Sequence, residues 1–288
     1  MYPASFDYHA AGSVQEALSL LAQYGDDAKL LAGGHSLLPV MKLRFAAPAH
    51  LIDIGRIAGL SAITDGGEAV HIGATARHAD VAASPVVRSK APLLAEVTGH
   101  IGDPLIRNMG TIGGSLAHAD PAADLPAAML ALGASMVLTG SGGARTVGAD
   151  DFFTGVFATA LQPGEMLTEV RVAAQGPGSG SAYEKNPDPA SGYAIVGIAV
   201  QLHVAAGTIT AARIGMTGLG PMAMRLTGVE SALAGQPATE ATAASAASRA
   251  ADGLSFDDDA RGSAAYKVNL ARVHARRAIT RALAVALG

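Results

Sequence analysis

Cysteine and tryptophan are absent from the 288 residues, aromatic residues make up 4% of the chain and charged residues 15%. Each shortage excludes something. Without thiolates the chain cannot ligate an iron–sulfur cluster, build a cysteine zinc site, offer a cysteine nucleophile or cycle a disulfide. Redox chemistry here requires a borrowed cofactor. With 20 Lys and Arg against 24 Asp and Glu, the formal charge of −4 is too near neutral for affinity built on phosphate neutralisation. So few aromatics also leave little material for base stacking, and nucleic acid is not an expected partner. Mean hydropathy is +0.31, raised by alanine, but the longest uncharged run, Leu125–Ala144, is interrupted by Pro126 and several Gly. No segment supplies the roughly 20 apolar residues that a spanning helix needs. Met1–Asp7 carries neither a basic nor an apolar leader region, so a cytoplasmic protein is expected, with at most a peripheral membrane association through an acceptor.

What is present reads as alternating short strands and helices, followed by strands and then helices. Ser13-Val14-Gln15-Glu16 is a capping box that opens a helix ending at Gly25. Lys29–Ala32 and Leu51–Ile54 read as strands, Ile63–Ile72 as a hairpin, and Thr75–Ala83 and Pro85–Gly99 as helices. Asp103–Asp124 has weak periodicity and is expected to be compact and loop-rich. Asp124 can cap a helix that ends at Gly133, and Ser135–Thr139 pairs with Arg145–Val147 around Ser141-Gly142-Gly143. Gln175–Ser181 is the most linker-like stretch. Beyond it, Ala194–Val204 and Thr208–Met216 form a hairpin at Gly207. Thr227-Gly228-Val229-Glu230 is a second capping box, Thr239–Ala251 an Ala-rich helix, and Ser263–Leu287 a long last helix whose Lys267, Arg272, Arg276, Arg277 and Arg281 form a solvated basic stripe.

Most catalytic templates are missing. There is no Walker loop, no G-x-G-x-x-G and no His-Glu-x-x-His. The nearest approach to a nucleophile elbow, Gly113–Ala117, lacks its final Gly. His118, Asp120 and Asp124 have no recognised metal-ligand spacing. What remains is a pair of similar loops, Ala32-Gly33-Gly34-His35-Ser36 and Thr111-Ile112-Gly113-Gly114-Ser115, with their Gly pairs 80 positions apart. Paired Gly residues permit positive φ and remove Cβ, so successive N–H groups can gather around an anion. Neither loop contains Lys or Arg, so an anion there is held by amides and hydroxyls. Each loop read alone is equally a tight turn.

Together the runs Ala32–Lys42 and Arg107–Ser115 resemble the two FAD-binding signatures of the medium, flavoprotein subunits of molybdenum hydroxylases, most of all those of aerobic carbon monoxide dehydrogenases. The resemblance extends from Ser5-Phe6-Asp7-Tyr8-His9 through Asp120–Pro126 and Tyr183-Glu184-Lys185 to the last helix. It implies an α+β fold: a vanillyl-alcohol-oxidase (PCMH)-type FAD-binding domain over residues 1–176, in α/β subdomains of about 1–56 and 57–176, and a flavoprotein C-terminal domain over 181–288. By the same resemblance Ala32, Gly33, Gly34, His35, Ser36 and Leu37, with Thr111, Ile112, Gly113, Gly114 and Ser115, hold the FAD pyrophosphate and adjoining sugar groups. Asp124 matches a position that bonds a sugar hydroxyl, Lys185 one that approaches the flavin from the second domain, and Tyr193 one that offers an aromatic face. The plain alternatives are a helix cap for Asp124, a solvated Lys185 and a core-edge Tyr193.

The implied protein is an electron-transfer subunit of a heterohexamer. It has no acid or base of its own, and it joins 2Fe–2S clusters on a small partner subunit to an external acceptor, with the molybdenum cofactor on a large partner subunit. A self-contained flavin oxidoreductase using His118 as base, and a scaffold whose Gly loops are mere turns, are the competing readings. Ser115 stands where carbon monoxide dehydrogenases usually have Asn, and Asn186–Gly192 replaces a more basic segment. Both variants are at home among aldehyde, purine and heteroaromatic hydroxylases, so the substrate stays open.

Overall fold

The computed structural model describes all 288 residues. Its first sheet is parallel, with His50–Asp53 between Asp7–Ala10 and Ala28–Leu31. The helix Val14–Tyr24 packs Ala17 and Leu18 onto it. As the capping box predicts, Ser13 Oγ accepts from the Glu16 amide at 3.1 Å, and Gly25, at φ 52°, ends the helix. In a parallel sheet the loops that leave the strands share the C-terminal edge. The chain therefore leaves Leu31 directly into the first Gly pair.

The second sheet is antiparallel and has five strands, in the order Ile63–Asp65, Ala69–Gly73, Met166–Ala173, Ser135–Gly140, Gly143–Gly148. Its central strand, Met166–Ala173, is absent from the sequence-based expectations, although Val170 and Val172 alternate with exposed Arg171 and Ala173. The third sheet is a meander of Ser179–Pro187, Ala194–Ala205, Thr208–Thr217 and Met224–Arg225, covered by the 24-residue helix Ala264–Leu287. No helix is long and apolar enough to cross a membrane.

Four local expectations are corrected. Asp103–Asp124 is not loop-rich: it holds two short helices, Pro104–Met109 and Ile112–His118, whose first turns are capped by Asp103 Oδ1 on the Ile106 amide and Thr111 Oγ1 on the Gly114 amide. Helices of two turns leave no readable period, and capping overrides the low propensity of Gly. Pro85–Gly99 splits into Pro85–Lys90 and Pro92–Gly99, because Pro92 disfavours helical geometry at Ala91, which sits at φ −139°, ψ 58°. Asp124 is no cap: Ala123 occupies that position, and the carboxylate points elsewhere. The Thr227 capping box also fails, since Glu230 instead accepts from the Ile214 amide at 2.7 Å and pairs with Arg225.

The buried hydrophobic residues fall into clusters of 9, 32 and 25, centred in turn on the first sheet, the second sheet and the third. Between the last two lies the helix Asp124–Leu132, every residue of which is buried. A helix that is apolar all round must be covered on all sides. Strand Thr208–Thr217 comes so close that a Cβ at Gly215 would lie 2.1 Å from the Ala127 carbonyl oxygen. Gly215→Ala is expected to destabilise the chain by about 1–3 kcal/mol through this overpacking. The readout is a lower urea midpoint at an unchanged slope.

Candidate functional site

Both Gly loops meet at one wall of a cavity of about 690 Å³. That volume lies in the range of small-molecule and cofactor sites, roughly 300–1,000 Å³. Their contact is direct: a Cβ at Gly33 would lie 2.1 Å from the Met109 carbonyl oxygen, so glycine is what lets the first loop touch the second. Beside it Gly34 takes φ 72°, the left-handed conformation that the sequence reading required.

The loops then diverge in chemistry. In the first, the amides of Gly33, Gly34, His35 and Ser36 donate to no acceptor in the chain, while the loop's internal bonds use carbonyls, as in His35 Nδ1 to Gly33 O at 3.0 Å. A run of unpaired N–H groups is a cradle for an anion. In the second loop the amides are already committed. Ile112 donates to Ala76 O at 2.9 Å, Gly113 to Ala74 O at 2.8 Å, Gly114 to Thr111 Oγ1 at 3.1 Å and Ser115 to Thr111 O at 3.0 Å. Neither Gly113 nor Gly114 has positive φ. The expectation of a second amide nest is therefore corrected: this pair opens a helix, and Gly113 is needed because a Cβ would lie 2.5 Å from that of Ala74.

Of the residues predicted for the site, Ala32, Gly33, Gly34, His35, Ser36, Leu37, Thr111, Gly113, Gly114, Ser115, Asp124 and Tyr193 line the cavity. Two do not. Ile112 is fully buried in the central core, as its place on the inner face of a capped helix dictates. Lys185 lies behind the wall with its side chain 4% exposed, donating to Asp124 Oδ2 at 2.8 Å and to His100 O at 3.1 Å. It is not a solvated surface lysine. Tyr183 donates to the other Asp124 oxygen, Oδ1, at 2.5 Å. Burial pushes the Asp124 carboxyl above the usual carboxylate range, against the opposing pull of Lys185 and Tyr183. Burial likewise holds the Tyr193 phenol above its ordinary value, so it is a neutral donor.

Sequence reasoning missed other contributors. His78, Gly192 and Phe157 also line the cavity. Phe157 stands on the tip between Phe153–Gly155 and Ala158–Thr159, at φ 52°, with its ring 5.0 Å from that of His118. His78 follows Arg77, which bridges to Thr111, and its own amide donates to Gly110 O at 2.9 Å. No motif marks these positions; the pairing of the segment before His78 with the second loop brings the histidine in.

The family described as "FAD binding domain in molybdopterin dehydrogenase" matches residues 4–174, and "CO dehydrogenase flavoprotein C-terminal domain" matches residues 181–282. The chain belongs to the family of FAD-binding medium subunits of molybdenum hydroxylases. It is 46% identical to the carbon monoxide dehydrogenase medium chain of Hydrogenophaga pseudoflava, over 99% of both chains. The solved structure of carbon monoxide dehydrogenase from that organism, in a form lacking the Mo-pyranopterin moiety, superposes with a TM-score of 0.95 over 99% of each chain. Quinoline 2-oxidoreductase from Pseudomonas putida 86, at 34% identity over 100% of both chains, gives 0.93.

One group in the wall makes a pH prediction. His78 is 4% exposed, its Nδ1 has no partner, and burial, with the nearby charges of His35 and Arg107, lowers its pKa to about 4. The unfolded chain takes up this proton as pH falls through about 6.5, whereas the folded chain waits until about 4. Stability is thus lost on acidification across that window, by up to about 3 kcal/mol. His78→Leu is expected to flatten this dependence, seen by comparing urea midpoints at neutral pH and at the acid end of the window.

Proposed function

We propose that this chain is the FAD-carrying electron-transfer subunit of a molybdenum hydroxylase complex. It takes electrons from 2Fe–2S clusters on a small subunit and delivers them to an external acceptor, while a large subunit carries the molybdenum cofactor. The observation that carries this reading is the run of unpaired amides at Gly33–Ser36 in the wall of a cofactor-sized cavity. FAD bound there supplies the reversible electron transfer, and its tuning is the protein's share.

The residues fit the group. A diphosphate is rich in acceptors, and a loop with four free N–H groups and no Lys or Arg meets it by hydrogen bonds alone. Thr111 and Ser115 add hydroxyls; Gly113 and Ile112 serve by packing the second loop against Ala74 and the core. Asp124 accepts a sugar hydroxyl, Lys185 balances its charge, and Tyr193 borders the ring system. None of them is required as a general acid or base.

The lack of Cys supports clusters on another chain, since thiolates hold them. Exposed apolar side chains on the segments that carry both loops, among them Phe45 at 82% and Leu105 at 73%, support a protein partner beside the cavity. Relatives named for carbon monoxide and for quinoline share this fold, which supports placing substrate choice on the large subunit. The three larger sheets, built from residues 7–53, 63–173 and 179–225 in turn, support a division into residues 1–176, with subdomains meeting near residue 56, and 181–288. Assembly as a heterohexamer in the cytoplasm completes the proposal.

Purified chain incubated with FAD and desalted is expected to retain flavin absorbance in stoichiometric amount, without turning over substrates by itself. Folded chain that retains no flavin overturns the reading. Gly33→Ala is expected to lose at least about tenfold in FAD affinity, worth about 1.4 kcal/mol, because its Cβ pushes the first loop off Met109. Fluorescence titration measures this, with the circular dichroism spectrum unchanged.

A further inference from the structure

Tyr183 does not line the cavity, and no motif role attaches to it, yet it is the largest fully buried side chain in the protein. A buried tyrosine must find a partner for its hydroxyl. This one reaches across to Asp124 Oδ1 at 2.5 Å, from the strand Ser179–Pro187 to the helix Asp124–Leu132. The neighbouring strand makes room for that reach: a Cβ at Gly197 would lie 2.2 Å from the Tyr183 hydroxyl oxygen. Two residues along the same strand, and hence on the same face, Lys185 donates to Asp124 Oδ2 at 2.8 Å.

Each Asp124 oxygen is therefore held by one donor of a single strand. The terminal torsion of an aspartate is soft, and one anchor leaves it free to swing. Two anchors on separate oxygens fix its plane. Each oxygen keeps a second acceptor site, and Asp124 is the member of the trio that borders the cavity.

We propose that Tyr183 is a positioning residue of the flavin site: it fixes the Asp124 carboxylate in the orientation in which that residue accepts a hydroxyl of the bound flavin nucleotide. The inference rests on the functional reading above. Asp124 is the one charged residue of its helix. Facing it are Lys185 and Tyr183 from the strand and His100 beyond the helix Pro92–Gly99, with Glu96 near Tyr183, and with Asp120 and Tyr193 at the cavity. Loss of the phenol removes a hydrogen bond that favours the ionised carboxyl, so Asp124 takes up its proton at higher pH.

The test is the pH profile of FAD affinity, titrated between about pH 4 and 8, for the native chain, Tyr183→Phe, Asp124→Asn and the double variant. In Tyr183→Phe the acid limb is expected to move up by about one pH unit, giving roughly tenfold weaker binding within the limb. In the Asp124→Asn background the same substitution moves nothing. A tyrosine that merely packs lowers the thermal midpoint in both backgrounds and leaves the limb in place, which overturns the proposal. Should Tyr183→Phe fail to fold, 3-fluorotyrosine at position 183 preserves the shape while strengthening the donor. The limb is then expected to move down, and an unmoved limb overturns the proposal. A folded native chain that takes up no FAD overturns the functional reading and this inference together; a native chain that binds FAD with an unmoved limb in the variant overturns the positioning role alone.

Discussion

A carboxylate buried at the first turn of a helix with no exposed face is the constraint around which the rest is arranged. Asp124 cannot be left there uncompensated, because removing one partner of a buried pair costs about 3–5 kcal/mol. The dipole of its own helix favours negative charge at that end but does not satisfy its lone pairs. Tyr183 and Lys185 do, and both come from a strand that follows about 60 residues later. The surrounding backbone repeats the tie. Thr217 Oγ1 donates to the carbonyls of Pro121 and Ala123 at 2.6 and 2.8 Å, the Gly218 amide reaches Pro121 O, and the Ala194 amide reaches Ala122 O. The loop leading into the helix is thus held by the third sheet before Asp124 is reached.

The two Gly-Gly loops show how similar letters serve different physics. In the first, glycine frees the amides and opens a left-handed turn at Gly34. In the second, glycine removes bulk so that a capped helix can lie against Ala74, and the amides are spent in doing so. The loops are complementary because Gly33 lets one rest on the other. A cavity wall made of two such segments is shaped by close approach of backbone, which few side chains could reproduce.

Much of this was legible in the sequence where a local rule decides. Ser13 and Gly25 bound the first helix, Gly207 turns the third sheet's hairpin, and the Gly pairs mark the cavity. What escaped is non-local. Met166–Ala173 gains its central position from partners that lie about 30 and 100 residues away in the chain. The helices at Pro104 and Ile112 are too short to show a period, and Glu230 left its local cap for a stronger arrangement with Arg225 and the Ile214 amide. Asp124 was visible as a candidate, but its double anchoring needs the register of a distant strand. The resemblance to flavoprotein subunits supplied Lys185; nothing local could have.

Dependence of Asp124 on a later strand sets an order of events during synthesis. The segment that bears both Gly loops leaves the ribosome well before Tyr183 and Lys185 do, and until they arrive Asp124 lacks both of its anchors. The Asp124 side of the cavity is thus complete only once the last sheet has docked.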